Sequence, residues 1–319
     1  MGVDLDALRP DSAAIELRGL TRVFGKGERT VVALDEVSLV IRAGESVALL
    51  GENGAGKTTL TKILATLLLP TAGTALVHGL DVRRDANRVR ELTNAVFGGD
   101  RGLYTMVTGR ENLRYFGVIN GVSPKALRAH ADEVLERVGL REAADRRVET
   151  YSKGMRQRLH LAIGLLTTPR VLLLDEPTVG LDPNEARRLR QTVAEVQAKG
   201  TTVLMTSHNL LDVDELSERV VMIAHGKIVH DLSIAQFRAL AETQAVVKAT
   251  LAGHVDPKLP GSECRHDGLN TIVTVAVRSW SPSMLQTLSD SFRGLDIIGF
   301  DVRGARLEDA FSAASQGQS

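Results

Sequence analysis

A glycine-rich loop, GENGAGKT at residues 51–58, lies between a predicted strand and a predicted helix. The apolar run at residues 45–50 is short and ends at Gly51, as buried strands of a parallel sheet do. After the loop, apolar residues recur at helical spacing, at Leu60, Ile63, Leu64, Leu67 and Leu68. Pro70 ends this pattern because its ring has no N–H. The order of elements predicts an α/β fold with a mostly parallel sheet and an anion site at the start of the helix.

The residue types in the loop suit a nucleoside triphosphate and Mg²⁺. Gly51, Gly54 and Gly56 let the backbone wrap a phosphate without a Cβ in the way. Lys57 is expected to bridge the terminal phosphates. The hydroxyl of Thr58 is expected to hold Mg²⁺, which prefers hard oxygen ligands. An ordinary glycine turn is the alternative, and the strand and helix on either side disfavour it.

Two adjacent acidic residues follow a second apolar run. Residues 171–174 predict a buried strand that delivers Asp175 and Glu176 to its carboxyl end, where open parallel sheets bind their ligands. Asp175 is expected to bind Mg²⁺ directly or through water, and Glu176 to act as general base on the attacking water. The two acids alternatively cap a helix ahead of Pro177. The phosphate loop upstream favours the catalytic interpretation.

Two more polar segments adjoin apolar runs. A β-branched run at residues 200–206 leads to His208, and this position at a strand end predicts that His208 reaches the terminal phosphate. Without such a position, a lone histidine is more often a surface or core residue. Ser152 and Gly154 precede a predicted helix and indicate a second anion site, although a simple helix N-cap explains them equally well. One bound nucleotide does not need two anion sites that are far apart in the sequence, unless the two sites come from two protein molecules.

Together these segments resemble the nucleotide-binding subunit of ATP-binding cassette transporters, over roughly residues 12 to 232. By that resemblance, residues 51–59 are the Walker A loop, residues 152–157 the signature loop, residues 171–176 the Walker B strand and His208 the switch histidine. The resemblance implies a P-loop NTPase core with an antiparallel β subdomain and a helical subdomain. It also implies a head-to-tail homodimer, in which each ATP lies between one Walker A loop and the partner's signature loop.

The resemblance assigns a role to each candidate site residue. The residues expected to bind ATP are Phe24, Gly51, Asn53, Gly54, Gly56, Lys57, Thr58, Thr59, Ser152, Gly154, Gln157 and Asp182. Those expected to act in catalysis are Lys57, Glu176 and His208, and those expected to hold Mg²⁺ are Thr58 and Asp175. Asp182 belongs to the loop at residues 180–182 that couples the two protomers in the family. Phe24 corresponds to the aromatic residue that stacks on adenine, with core packing as the alternative.

The chain departs from the family pattern after the predicted strand at residues 95–97. The family usually has glutamine there, whereas this chain has Gly98, Gly99, Asp100 and Arg101. A glycine can neither ligate Mg²⁺ nor orient water. Three alternatives remain. Asp100 takes the role of the glutamine, or a water molecule occupies the position of its side chain, or hydrolysis is slower and coupling to the membrane partner is altered.

Composition bounds the class of protein and its partners. The chain of 319 residues is 43% apolar, enough for about two packed domains. No stretch approaches the roughly 18 consecutive apolar residues of a membrane span, and the start has no signal peptide, so we expect a cytoplasmic protein. Its 39 basic and 39 acidic residues do not favour nucleic acid as a partner, and the single cysteine, Cys264, excludes a disulfide framework or zinc cluster. If the protein serves transport, separate transmembrane permease subunits must supply the pore and hold it at the cytoplasmic face of the membrane.

A change in the pattern of predicted elements after residue 232 predicts two domains. Residues 1–232 are expected to form the ATP-binding domain, with a helical subdomain at about residues 100–168 that by resemblance carries the groove for a permease helix. Residues 233–319 are expected to form a small C-terminal accessory domain of α+β type. Its ending at Leu307–Phe311 and the sequence Tyr-Ser-x-Gly-Met-x-Gln at residues 151–157 resemble the daunorubicin-resistance group of type-2 exporters, although an amphipathic terminal helix also explains the ending.

These patterns predict the ATPase subunit of an exporter whose cargo is a drug, an antibiotic or a lipid-linked substrate. A soluble cassette ATPase of DNA repair or translation is one alternative. It is disfavoured because such proteins usually carry a second cassette, a coiled-coil insert, zinc-binding cysteines or a basic surface. A nucleotide-binding regulator that scarcely turns over is another, motivated by Gly99.

Overall fold

The computed structural model describes residues 12–25, 27–98, 102–240, 245–255, 259, 262–277, 281–304, 307 and 310–311. The chain divides into two compact units, Met1–Leu232 and Ser233–Ser319.

The first unit contains both strands and helices, interspersed along the chain. Its strands are β1 (Ala13–Phe24), β2 (Val31–Arg42), β3 (Ser46–Leu50), β4 (Ala72–Val77), β5 (Leu80–Asp81), β6 (Thr93–Phe97), β7 (Val171–Asp175), β8 (Thr202–Thr206), β9 (Arg219–Ala224) and β10 (Lys227–Ser233), the last reaching the boundary of the unit. Its helices are α1 (Lys57–Leu64), α2 (Ala86–Leu92), α3 (Gly109–Ile119), α4 (Pro124–Arg137), α5 (Lys153–Leu165), α6 (Pro183–Ala198) and α7 (Leu210–Leu216).

A six-stranded sheet in the order β10-β9-β3-β8-β7-β6 forms the centre of this unit. The pairs β9–β3, β3–β8, β8–β7 and β7–β6 are parallel. Every residue of β3, β7 and β8 is buried, because helices and a second sheet cover strands of this kind on both faces. The predicted α/β fold is therefore confirmed, and the carboxyl ends of β3, β7 and β8 meet at one edge of the sheet.

A second sheet, in the order β2-β1-β4-β5, is antiparallel throughout. Its strand β2 alternates exposed and buried residues, which is typical of a sheet with one face on a core. Buried side chains of β1 and β2 join those of β3 and α1 in one apolar cluster. This sheet therefore helps to anchor the strand and the helix on either side of the glycine loop.

Helices α3, α4 and α5 pack together beside the central sheet. Thr108 and Glu111 form a reciprocal capping box at the start of α3, and Ser123 caps α4. Their common core includes Leu113, Leu135 and Leu159, all fully buried. Helix α5 also contacts β6 and α6, and these contacts fix its position.

The second unit contains α8 (Ile234–Arg238), β11 (Ala245–Ala252), β12 (Ser262–Asp267), β13 (Asn270–Val277), α9 (Pro282–Ser291) and β14 (Ile297–Gly304). Its antiparallel sheet has the order β12-β13-β11-β14. Alternate residues of β13 are buried in a core that also contains Leu288 and Phe292 of the α9 segment. Strand β12 has no counterpart in the sequence-based prediction, since five of its six residues are exposed and it lacks an apolar pattern.

The helix after the glycine loop is shorter than its apolar pattern predicts. Helix α1 ends at Leu64, and Thr66 has a φ of +59°, which an α-helix does not accommodate. Leu67 therefore lies outside the helix and is 64% exposed. Among the described residues, no helix is both long and apolar enough to cross a bilayer.

Candidate ATP-binding and hydrolysis site

The glycine loop is formed by backbone conformations and close contacts that only glycine allows. Gly56 has a φ of +112°, and a Cβ there would lie 2.3 Å from the carbonyl oxygen of Ala33. A Cβ on Gly51 would lie 2.2 Å from the carbonyl oxygen of Ile223. The loop consequently lies close against the neighbouring strands. It leads into α1 with Gly56 at the N-cap and no side chain capping the helix, so the first N–H groups of α1 are available to an anion.

Lys57 is buried at the start of α1, with 6% of its surface exposed. Its Nζ donates hydrogen bonds to the carbonyl oxygens of Gly51, at 2.7 Å, and of Glu52, at 3.0 Å. Burial lowers the pKa of Lys57, and the nearby charges of Glu176 and Asp175 oppose that shift. The ammonium group is therefore held over the loop, where phosphate oxygens are suitable acceptors for its donors.

Thr58 and Asp175 are 117 residues apart in sequence and in direct contact in the fold. The Thr58 hydroxyl donates to the Asp175 carboxylate at 3.0 Å, and Thr206 donates to the same carboxylate at 2.6 Å. Thr58 is exposed, whereas Asp175 is buried. A hydroxyl and a carboxylate that converge beside a phosphate loop are the hard oxygen donors that Mg²⁺ shares with water and phosphate, so these residues fit the metal.

Glu176 and His208 touch at the ends of neighbouring strands. The Nε2 atom of His208 lies 2.9 Å from Oε1 of Glu176, and the backbone N–H of His208 donates to Oε2 at 3.2 Å. Glu176 has a φ of +54°, and its N–H donates to the carbonyl oxygen of Thr206 at 3.0 Å. Burial raises the pKa of Glu176, while His208 opposes the shift. The carboxylate thus has the environment of a base that operates above the ordinary glutamate range.

The predicted second anion site lies at the start of α5. Ser152 caps this helix, its Oγ accepting from the N–H of Met155 at 3.1 Å. Gly154 lies against Glu185 in the first turn of α6, where a Cβ would be 2.6 Å from Cγ of Glu185. Gln157 is buried, and its Nε2 has no hydrogen-bond partner in the described part of the chain.

Asp182 caps α6, with its carboxylate accepting from the N–H groups of Asn184 and Glu185. In the same loop, a Cβ on Gly180 would lie 2.0 Å from Nζ of Lys153. The segment at residues 152–154 and the loop at residues 180–182 are therefore in contact within one chain.

The comparisons with known proteins agree on one family. A family model described as "ABC transporter" matches residues 34–179. The doxorubicin resistance ATP-binding protein DrrA of Mycobacterium tuberculosis is 42% identical over 222 residues, which is 70% of this chain and 66% of that relative, just under two thirds of its length. An uncharacterized ABC transporter ATP-binding protein of Bacillus subtilis, YdbJ, is 32% identical over 304 residues, 94% of this chain and 95% of that relative.

The chain belongs to the ATP-binding cassette family. The solved dimeric structure of the cassette MJ0796, in a post-hydrolysis state with ADP and Pi, matches with a TM-score of 0.63 and 25% identity, over 69% of this chain and 98% of that one. The predicted resemblance to this family is thus confirmed. The names Walker A loop for the glycine loop, Walker B strand for β7 and signature loop for residues 152–157 are kept below as predicted assignments. The alignment to YdbJ also extends beyond the cassette into the second unit.

The cassette brings some predicted site residues together and leaves others on separate elements. Lys57, Thr58, Asp175, Glu176 and His208 meet at the edge formed by β3, β7 and β8. Asn53 and Gly54 are exposed in the Walker A loop, and Thr59 is half-buried. Ser152 caps α5, Gly154 and Gln157 lie on α5, and Asp182 caps α6. Their roles toward a nucleotide stay predictions.

Phe24 lies at the end of β1, and 37% of its surface is exposed. The guanidinium of Arg22 sits 4.5 Å from the centre of its ring. Phe24 is therefore not packed in the core, which was the alternative to adenine stacking. One face of the ring carries a cation, and an adenine would need the other face or displacement of Arg22.

The segment without the family's glutamine is described only up to Gly98. The N–H of Gly98 donates to the carbonyl oxygen of Asp175 at 2.8 Å, next to the Walker B acids. Gly99, Asp100 and Arg101 lie outside the described residues, so the suggested substitution by Asp100 stays a prediction.

Sequence reasoning missed Thr206 and Asp212. Thr206 holds both the carboxylate of Asp175 and the N–H of Glu176. Thr206 ends an apolar strand and is one of two hydroxyl residues directly before His208. This position is a signal that could have identified it as a site residue. Asp212 is fully buried four residues after His208, and an acid on an ordinary short helix offers no comparable signal.

Proposed function

We propose that this protein is the ATP-hydrolysing subunit of an ABC exporter, which dimerises around ATP and drives separate transmembrane permease subunits. The observation that carries the proposal is the contact of Glu176 with His208, beside Lys57 and the Thr58–Asp175 pair. A general base, a cation and a metal-ligand pair at one edge are what transfer of a phosphoryl group to water requires.

In this proposal ATP is the substrate, and each residue at the edge has a separate task. The Walker A backbone and Lys57 bind and orient the β- and γ-phosphates. Glu176 accepts the proton of the water that attacks the γ-phosphorus, and His208 holds the Glu176 carboxylate in position through its Nε2 and N–H. Thr58 and Asp175 would hold Mg²⁺, whose charge offsets the negative charge of the phosphates. Lys57 and the signature loop of a partner stabilise the charge that spreads over the equatorial oxygens.

Dimerisation is proposed because the signature loop lies on a different element from the Walker A loop. Ser152 caps α5 and Gly154 lies in its first turn. Helix α5 packs on α3, α4 and α6, whereas the Walker A loop follows β3. A head-to-tail pair would bring the signature loop of one copy to the ATP of the other. The dimeric arrangement of MJ0796, described with ADP and Pi, supports this proposal by similarity.

The permease is proposed to dock on the helical part of the cassette. A groove of about 260 Å³ lies between β6, α3 and α5, with Phe97, Phe116 and His160 among its lining residues. Apolar side chains in the same helical region of the sequence are highly exposed, including Met106, Val118 and Ile119, each above 60%. Surfaces of this kind mark protein interfaces, and docking here would hold the ATPase at the cytoplasmic face of the membrane.

Export of a drug, antibiotic or lipid-linked compound is the proposed direction and cargo class. The Mycobacterium relative is named as a doxorubicin resistance protein, which supports efflux by similarity. The signature-loop sequence and the ending at residues 307–311, which resemble the daunorubicin-resistance group, agree with this direction.

A nucleotide-binding regulator with scarcely any turnover is the second candidate. The absence of glutamine at residues 98–101 favours it, because that side chain normally helps to arrange the metal and water in this family. Steady-state phosphate release from Mg-ATP separates the two candidates. We expect the purified protein to release phosphate continuously and to stop when EDTA removes the metal. Binding of ATP without release, even with the permease present, would instead favour the regulator, and absence of binding would contradict both.

The pH dependence of hydrolysis tests the role of Glu176. A general base works only when deprotonated, so kcat/KM falls as the pH drops through the pKa of that group. Because burial raises the pKa of Glu176, we expect the acid limb at a higher pH than a solvent-exposed glutamate would give. The residual activity of Glu176→Gln should lack this limb. A wild-type profile that stays flat down to about pH 4.3, the ordinary glutamate pKa, would contradict the assignment.

A further inference from the structure

A buried carboxylate outside the ATP site connects the two strand ends that carry Glu176 and His208. Asp212, on α7, has none of its surface exposed. One of its oxygens accepts a hydrogen bond from Nη1 of Arg190 at 2.9 Å. The other accepts from the hydroxyl of Ser207 at 3.1 Å and from the hydroxyl of Thr178.

The partners of Asp212 stand next to the proposed catalytic residues. Thr178 follows Glu176 by two residues, and Ser207 directly precedes His208. We propose that Asp212 is a positioning residue, which keeps Glu176 and His208 in contact by holding the segment after β7 and the segment after β8 on one carboxylate. The inference deepens the proposed function and depends on it for its kinetic consequence.

The backbone at Glu176 needs such support. Its φ of +54° lies in the left-handed region, which a non-glycine residue keeps only when its surroundings determine it. Thr206 holds the N–H of Glu176 on the side of the strand. The hydroxyl of Thr178 anchors the other side to Asp212. Glu176 is therefore held between two fixed points.

Arg190 compensates the buried carboxylate of Asp212. A buried carboxylate is costly unless a charge and hydrogen bonds compensate it. Arg190, on α6, is buried and provides that charge, with the two hydroxyls completing the set of donors. Such a network, in which one guanidinium nitrogen and two hydroxyls donate to one carboxylate, restricts the relative movement of the segments it joins.

The chain offers a matched control on the same helix and the same arginine. Glu215 accepts from Nε of Arg190 at 2.7 Å, but 45% of its side chain is exposed. Its described hydrogen bond and ion pair are with Arg190 and involve neither Thr178 nor Ser207. Asp212→Asn and Glu215→Gln therefore remove the same kind of charge from Arg190 and differ in their link to the catalytic segments.

Steady-state ATPase kinetics and NMR of the His208 ring test the inference. We expect Asp212→Asn to lower kcat about tenfold with KM for ATP changed less than about twofold, and Glu215→Gln to keep both values. Thr178→Val and Ser207→Ala each cut one connection and should lower kcat by a smaller factor. In the nucleotide-free protein, the His208 ring signals, assigned with His208→Gln, should shift in Asp212→Asn and not in Glu215→Gln.

The outcomes separate this inference from the proposed function. A wild-type kcat and unshifted His208 signals in a folded Asp212→Asn protein would overturn it, as would equal effects of Asp212→Asn and Glu215→Gln. If Asp212→Asn does not fold, Thr178→Val and Ser207→Ala decide by the same criteria. If the wild-type protein releases no phosphate, the proposed function fails, whereas the NMR comparison still tests the positioning role.

Discussion

Replacing Glu176 with glutamine should lower kcat for ATP hydrolysis by about a hundred- to ten-thousand-fold, the usual contribution of a general base. Glutamine has nearly the same size and can still contact His208, but it cannot accept a proton from water. Because Lys57, Thr58 and Asp175 remain, affinity for ATP should be kept. Phosphate release and titration with a fluorescent ATP analogue measure the two quantities.

The same variant tests dimerisation. If ATP joins two protomers and hydrolysis separates them, Glu176→Gln with Mg-ATP should accumulate a nucleotide-bound dimer, measured by light scattering coupled to size exclusion. Glu142→Gln is a suitable control, since Glu142 is exposed and lies outside the central sheet. Hydrolysis by Glu176→Gln at the parental rate would show that the base is another group. A strictly monomeric form with Mg-ATP would contradict the shared site.

Replacing Lys57 with alanine should weaken ATP binding by about ten- to a hundredfold. Two of the three ammonium donors of Lys57 already bond the carbonyl oxygens of Gly51 and Glu52, which leaves one donor for a phosphate oxygen. A hydrogen bond to a charged group is worth about 1.5–3 kcal/mol, and tenfold in affinity corresponds to about 1.4 kcal/mol, so the loss of that one bond gives this range. Isothermal titration with Mg-ATP or a non-hydrolysable analogue gives the dissociation constant directly.

Lys62→Ala is the matched control for Lys57→Ala. Lys62 lies on the same helix α1 but is exposed, so its removal should leave affinity unchanged. Thermal unfolding should accompany both measurements, since Lys57 also bonds to the loop's own carbonyl oxygens. A folded Lys57→Ala protein with unchanged affinity would rule out the proposed phosphate role.

Local patterns carried much of the prediction because each motif is contiguous. The strand, glycine loop and helix at residues 46–64 follow from apolar spacing and from glycine at positions of positive φ. The β9–β10 hairpin turns at His225 and Gly226, a residue pair with glycine second, and both have positive φ, as the common type I′ hairpin turn requires. Prediction was wrong about the end of α1 and missed β12, because Thr66 and the polar strand give no periodic signal.

The sequence by itself determined the family, the phosphate loop and the order of the strand ends, since short-range spacing controls each of them. Tertiary structure decided which of these ends meet. Parallel pairing of β7 with β8 brings Glu176 to His208 across 32 residues. The same pairing together with that of β3 and β8 brings Thr58 to Asp175 across 117 residues. Tertiary structure also decided that Asp212 is buried and bonded to Thr178 and Ser207. The burial and the hydrogen-bond partners of Asp212 depend on how helices α6 and α7 pack on the sheet, which no local pattern encodes.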